Sequence, residues 1–163
     1  MTQNGHRGFA GWLWAPVPLS ALGVLVSTYL SVKRFTGGSL VCSRWAECDT
    51  VNNSVYAKIY GVPVAFLGLA GYLVLLGLAL ATLQAEGTAQ RRLLGLGFLL
   101  ALGGVAFSAY LTYLELYVIE AVCTWCVISA VLITVLAIVG GINLCRTSPQ
   151  RLDTSPTPSS LRP

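Results

Sequence analysis

Five cysteines, at positions 42, 48, 123, 126 and 145, are the residues of this 163-residue chain best able to do chemistry. Cys123-Thr124-Trp125-Cys126 spaces two thiols at i and i+3. If a helix opens there, both sulfurs share one face, and the free N–H groups of its first turn stabilise a thiolate at Cys123. Such a sulfur is a better nucleophile and leaving group, so the pair is suited to cycling between dithiol and disulfide. Cys42 and Cys48 form a second, wider pair. Exchange proceeds by attack of a thiolate on a disulfide sulfur, so a mobile dithiol that swings between an outside substrate and Cys123 would complete a relay. Arg44 favours a thiolate nearby, whereas Glu47 and Asp49 beside Cys48 oppose one.

Two other readings stay open on spacing. Four thiolates in two pairs are a ligand set for zinc or an iron-sulfur cluster, with Cys-x-x-Cys as one knuckle, although the five residues between Cys42 and Cys48 exceed the usual gap. Alternatively, the pairs are structural staples in a non-catalytic membrane subunit. A bond between residues three apart on a helix constrains almost nothing, which argues against that reading.

The elements that must position these sulfurs follow from composition. With 55% apolar and 10% charged residues, the chain lacks the polar surface of a soluble globular protein and any basic face for nucleic acid. Its net charge of +4 is better read as membrane topology. Charge-free stretches cover 8–32, 59–84, 93–114 and 121–144. Each can cross roughly 30 Å of hydrocarbon at about 1.5 Å per residue. Backbone groups in lipid must bond internally, and no alternating segments suggest a barrel. The expected fold is therefore an all-α integral membrane protein, a bundle of four transmembrane helices. Pro16 and Pro18 place the regular start of the first helix near residue 18. That span is longer than the apolar region of a signal peptide and no A-x-A site follows it.

Between the first two spans, residues 33–58 form a long polar loop, and 49–59 could hold a short interfacial helix with Val51, Val55 and Ile59 on one side. Residues 1–13 read as an amino-terminal segment, 14–144 as the membrane domain and 145–163 as a disordered tail rich in serine and proline. Lysine and arginine favour cytoplasmic ends: Arg7, Arg91, Arg92, Arg146, Arg151 and Arg162 outnumber Lys33, Arg34, Arg44 and Lys58. Both termini are then cytoplasmic, and Cys42, Cys48, Cys123 and Cys126 lie on the extracytoplasmic side, where disulfides persist. Cys145, 19 residues beyond Cys126, is about 28 Å away along a helix and beyond disulfide reach. Glycines and serines in the spans, among them Gly23, Ser27, Gly68, Gly71, Gly103, Gly104, Gly140 and Gly141, are expected to let helices approach closely.

Further residues carry a resemblance. Cys48-Asp49-Thr50-Val51 is followed by Ser54-Val55-Tyr56, then by Gly61-Val62-Pro63-Val64-Ala65-Phe66-Leu67-Gly68. Tyr113-Leu114-Glu115-Leu116-Tyr117 then leads into the Cys123–Cys126 pair. Over 14–144 the chain resembles bacterial members of the vitamin K epoxide reductase family. That resemblance implies a bundle around a quinone, menaquinone or ubiquinone, with no metal. Electrons would pass from a thioredoxin-fold, DsbA-like protein to Cys42 and Cys48, then to Cys123 and Cys126, then to the quinone. Cys42 would meet the partner, Cys48 exchange with Cys123, and Cys126 face the quinone ring. Ser54, Tyr56, Tyr60, Val51 and Leu111 would be further quinone contacts, although Ser54 equally reads as a helix cap and the tyrosines as interfacial residues.

Two positions depart from vertebrate relatives: Ala130 and Val64 stand where those carry a tyrosine and an asparagine that bond the naphthoquinone. The tail is short where many bacterial relatives carry a fused thioredoxin-like domain, so a separate partner is expected. The expectation is a disulfide-generating, quinone-reducing enzyme of a bacterial plasma membrane; a reductase whose product is the quinol, from quinone or its epoxide, is the alternative. Glu115 is a candidate proton relay, or a residue high enough to reach water. His6 lies on the opposite side and reads as incidental.

Overall fold

A computed structural model describes residues 12–42, 47–59 and 61–147 of the chain. Arg44, Tyr60, the segment before Trp12 and the tail after Thr147 lie outside the described residues. Four helices are long and apolar enough to cross a membrane, as expected: Trp12–Thr36, Val64–Gln84, Gly87–Ile119 and Thr124–Arg146.

The ends of these helices differ from the charge-free stretches. The regular part of the first helix, α1 (Pro16–Thr36), starts at Pro16 rather than near residue 18, because proline at the first helical position loses no hydrogen bond. It also runs past Val32 through Lys33 and Arg34, whose charges suit the negative end of the helix dipole. The Lys33 ammonium lies 5.9 Å from the centre of the Tyr29 ring, and the Arg34 guanidinium donates to the Asn53 side chain. Gly37, at φ 63°, ends the helix, so the loop begins there and not at residue 33.

The loop helix is shorter than the expected 49–59. It spans Cys48–Asn53 (α2) and stops at Ser54, whose backbone is extended. The Ser54 hydroxyl donates to the Val51 carbonyl at 2.8 Å, a local bond that competes with further helix. A single 3-10 turn, Val55–Ala57, leads into a small antiparallel hairpin pairing Lys58 with Pro63 and Ile59 with Val62. Gly61, at φ 83°, supplies the turn. The second long helix, α3 (Val64–Gln84), therefore starts after Pro63 rather than at Ile59.

The third, α4 (Gly87–Leu114), begins well before Leu93 and carries Arg91 and Arg92 exposed near its start. It continues as a π-helical turn over Glu115–Ile119. Glu120, at φ 54°, breaks the helix, and the last helix, α5 (Thr124–Arg146), opens at Cys123 rather than at Ala121.

The helices pack in a ring, α1 against α3, α3 against α4, α4 against α5, and α5 back on α1. In lipid this association rests on close packing rather than on escape from water. Tyr72 of α3 lies flat on Gly23, Ile133 of α5 abuts Gly104, and Phe98 packs on Gly140 and Gly141. Gly71 and Gly103 behave differently from expectation: nothing stands within 4 Å of where their Cβ atoms would be. Both line a cavity.

Candidate redox site

At the loop end of the bundle, the chain between Leu40 and Glu47 is fastened to its surroundings. The Val41 N–H donates to the Tyr29 hydroxyl at 3.2 Å, and the Val41 carbonyl accepts from the Trp125 indole at 2.9 Å. The Tyr29 and Trp125 rings meet at 4.9 Å between centroids, joining α1 to α5 beneath this strand. The Leu40 N–H donates to the Asp49 carboxylate at 2.9 Å, and the Glu47 N–H to the Val122 carbonyl at 3.1 Å. Hydrogen bonds thus hold the backbone just before Cys42 and just before Cys48 to neighbouring residues.

Cys42 and Cys48 are joined as a disulfide with their Cα atoms 6.3 Å apart, while Cys123, Cys126 and Cys145 are free thiols. The two bonded sulfurs are unequal. Cys42 is half-buried; Cys48, at the start of α2, is 1% exposed. It shares one apolar cluster with Cys123, which is 0% exposed, and with Leu30, Leu40, Val51 and Ala121. Cys126 lies against that cluster from the other side and lines the cavity. Cys42 and Cys126 are both half-buried, and both pack against the cluster that holds Cys48 and Cys123. Cys145 is exposed near the far end of α5.

Cys123 is the N-cap of α5, and the setting of its sulfur favours the thiolate. The Cys126 thiol, aimed at that sulfur, is the largest influence holding Cys123 below its ordinary value, and the N–H groups of Trp125 and Cys126 act in the same direction. Those N–H groups do not complete a capping hydrogen bond. Burial and the negative charge of Glu115 oppose the effect. In fully reduced protein, the ultraviolet thiolate absorbance that disappears on Cys123→Ser should therefore titrate below the ordinary thiol range; titration at or above it would contradict this setting. The linked stability is present above the ordinary thiol pKa and is lost as pH falls through the lowered one.

The cavity has a volume of about 450 Å³, within the roughly 300–1,000 Å³ typical of small-molecule sites. Its wall is mostly apolar, with Ser27, Ser54, Tyr56, Tyr72, Ser108, Thr112, Glu115 and Ser129 as polar points. Leu67 on α3 and Leu99 on α4 line it and are also exposed on the outer flank of the bundle, so its mouth opens between these helices toward lipid.

Of the expected quinone contacts, Cys126, Ser54, Tyr56 and Leu111 line this cavity, as does Val64. Val51 does not: its side chain is buried in the cluster around Cys48 and Cys123. Ala130 is not among the lining residues, and Tyr60 lies outside the described residues. Ser54 both closes α2 and reaches the cavity wall, so its two readings coexist.

Sequence reasoning missed Tyr72 and Ser129. The Tyr72 hydroxyl donates to the Ser129 carbonyl at 2.9 Å and sits 3.0 Å from the Ser129 hydroxyl, making a polar point one turn deeper than Cys126. Their separation of 57 positions leaves no local signal of this contact. Among the described residues, no group of three or more His, Cys, Asp or Glu is placed to hold a metal ion. The cavity itself has a largely apolar wall and a thiol, that of Cys126, on it. In comparison with known proteins, the model of the vitamin K epoxide reductase family matches residues 14–140.

Proposed function

The chain belongs to the vitamin K epoxide reductase family, and from that premise we propose that it is a membrane thiol-disulfide oxidoreductase that oxidises a thioredoxin-fold partner and delivers the electrons to a quinone. The observation that carries the reading is the division of the helix pair: Cys123 shares a sealed cluster with Cys48, whereas Cys126 faces the cavity. A reduced partner attacks the Cys42–Cys48 disulfide at Cys42, the half-exposed sulfur. The partner's second thiol then displaces Cys42 and the partner leaves as a disulfide; the Cys48 thiolate attacks Cys123 of an oxidised helix pair, expelling Cys126, and Cys42 attacks Cys48 to free Cys123. The outcome is a loop pair rejoined as a disulfide with Cys123 and Cys126 as thiols, and the Cys42–Cys48 bond is compatible with that end state. Quinone, as the acceptor substrate, takes up two electrons and two protons. Cys126, Ser54, Tyr56, Leu111 and the Tyr72–Ser129 point are the groups that would hold it.

This chemistry fits the charge pattern that puts both termini in the cytoplasm and the four cysteines outside, in a bacterial plasma membrane. The test is reconstitution in vesicles with a reduced DsbA-like protein and a short-chain ubiquinone or menaquinone. Thiol loss from the partner should require the quinone and survive Cys145→Ser. Thiol loss that proceeds without quinone, or that vanishes with Cys145, would refute the reading.

A further inference from the structure

Glu115 is 5% exposed, although it lies in a segment long and apolar enough to cross a membrane. An ionisable group at that depth is expensive to keep. Its backbone is tightly held. The π-helical turn Glu115–Ile119 begins at it, the Glu115 carbonyl accepts from the Ala121 N–H at 3.1 Å, and Glu120 in the left-handed region reverses the chain. Turns of this kind recur at functional sites because they re-aim a side chain. Here the turn sends the Glu115 carboxylate to the head of α5, where Oε2 accepts the Cys123 N–H at 3.3 Å. The carboxylate also meets the Cys126 thiol and lines the cavity. Cys126 and the hydroxyls of Tyr56 and Tyr72 are the other titratable groups on the wall, which carries no lysine, arginine or histidine among the described residues. Cys123 faces the same carboxylate from the cluster side. Glu115 is thus the one carboxylate on that wall.

Oxidation of the helix pair breaks two S–H bonds and forms one S–S bond, releasing two electrons and two protons. Reduction of a quinone takes up the same number and forms two O–H bonds. We propose that Glu115 is the proton carrier of this step: it accepts the Cys126 proton as the Cys123–Cys126 bond forms and passes it to an oxygen of the quinone in the cavity. The second proton, from the Cys123 thiol or from water where Cys123 is already a thiolate, ends on the other quinone oxygen. Glu115 returns to its starting form, so it is a catalytic residue and not a consumed one. The inference rests on the quinone-linked reading above.

The experiment follows one turnover of pre-reduced, desalted protein in nanodiscs with menadione, reading the helix pair by maleimide gel shift. Wild type must be oxidised by menadione; if it is not, the quinone-linked reading fails rather than this one. Given that, Glu115→Gln should slow oxidation about 100-fold, within the range for loss of a positioned acid-base group. Glu115→Asp should recover most of the rate. The equilibrium redox potential of the pair, measured against glutathione, should move far less than the rate, by no more than the loss of one charge beside Cys123 accounts for, because a proton carrier acts on the path between the end states. A Glu115→Gln rate within threefold of wild type overturns the proposal, as does a loss accompanied by an equal shift in potential, which marks a structural role. If Glu115→Gln does not fold, the wild-type turnover in D2O decides: slowing supports the carrier, and equal rates in H2O and D2O overturn it.

Discussion

Cys126→Ser should eliminate quinone-linked oxidation of the partner, lowering turnover at least about 1,000-fold, as expected when one member of a unit that acts together is removed. The size follows from geometry. Of the cysteines among the described residues, Cys126 alone lines the cavity, since Cys48 and Cys123 are sealed in the neighbouring cluster and Cys145 is exposed near the far end of α5. Serine nearly matches cysteine in shape, so the bundle should fold unchanged, but it cannot form an S–S bond. Cys123 would then have no partner on its helix. The N–H groups of Trp125 and residue 126 remain in the variant and still favour a Cys123 thiolate, which can attack the loop disulfide at Cys48 in the same cluster. A Cys48–Cys123 mixed disulfide should therefore become detectable by mass spectrometry in the variant and stay rare in wild type. Turnover within tenfold of wild type, or a mixed disulfide joining Cys42 to Cys123 instead, would sink the proposed order of sulfurs.

The second large effect is on folding. Gly23→Val should cost about 3 kcal/mol, at the upper end of typical overpacking penalties. The Tyr72 ring occupies the space that any Cβ at position 23 needs. It cannot swing aside freely, because its hydroxyl is bonded to Ser129 on the opposite helix. Helix α1 would have to move away from α3, opening the wall of the cavity that Ser27 and Tyr72 share. A double-mutant cycle with Tyr72→Ala separates this from a general loss of packing. Removing the ring makes room, so the double variant should be more stable than the sum of the two single losses by at least about 1 kcal/mol. Strict additivity in denaturant-induced unfolding would show that the contact does not set the helix spacing.

Sequence reading succeeded where physics acts locally and failed where it acts across the fold. The four spans were legible because lipid tolerates few charges, but their ends were not. Lys33, Arg34, Arg91 and Arg92 stand inside helices, near ends where long basic side chains can carry their charge out of the apolar layer. Hydropathy sees those charges and stops too early. The i, i+3 thiols at the head of a helix were readable from spacing, and so was the isolation of Cys145. The inequality of Cys42 and Cys48 was not, because it depends on contacts to the loop from Tyr29 and Trp125 on two helices and from Val122 in the segment before α5. Gly71 and Gly103 look like Gly23 and Gly104 in sequence, yet a Cβ at the first two would meet nothing within 4 Å, whereas at the other two it would strike Tyr72 or Ile133 of a neighbouring helix. Glu115 was noticed as unusual, but its aim is set by the register of a π-helical turn, for which the residues Glu115-Leu116-Tyr117-Val118-Ile119 offer no signature.

The lateral mouth between Leu67 and Leu99 also fixes how supply reaches this chemistry. A reactant that enters there never crosses bulk water, so its encounters are those of two-dimensional diffusion within the bilayer. The quantity that governs occupancy is then molecules per lipid rather than molecules per litre. Diluting the aqueous phase leaves it unchanged, while adding inert lipid lowers it. Under the proposed function the protein would couple two reservoirs counted in different units: a soluble thiol pool measured by volume, and an electron-acceptor pool measured by membrane area.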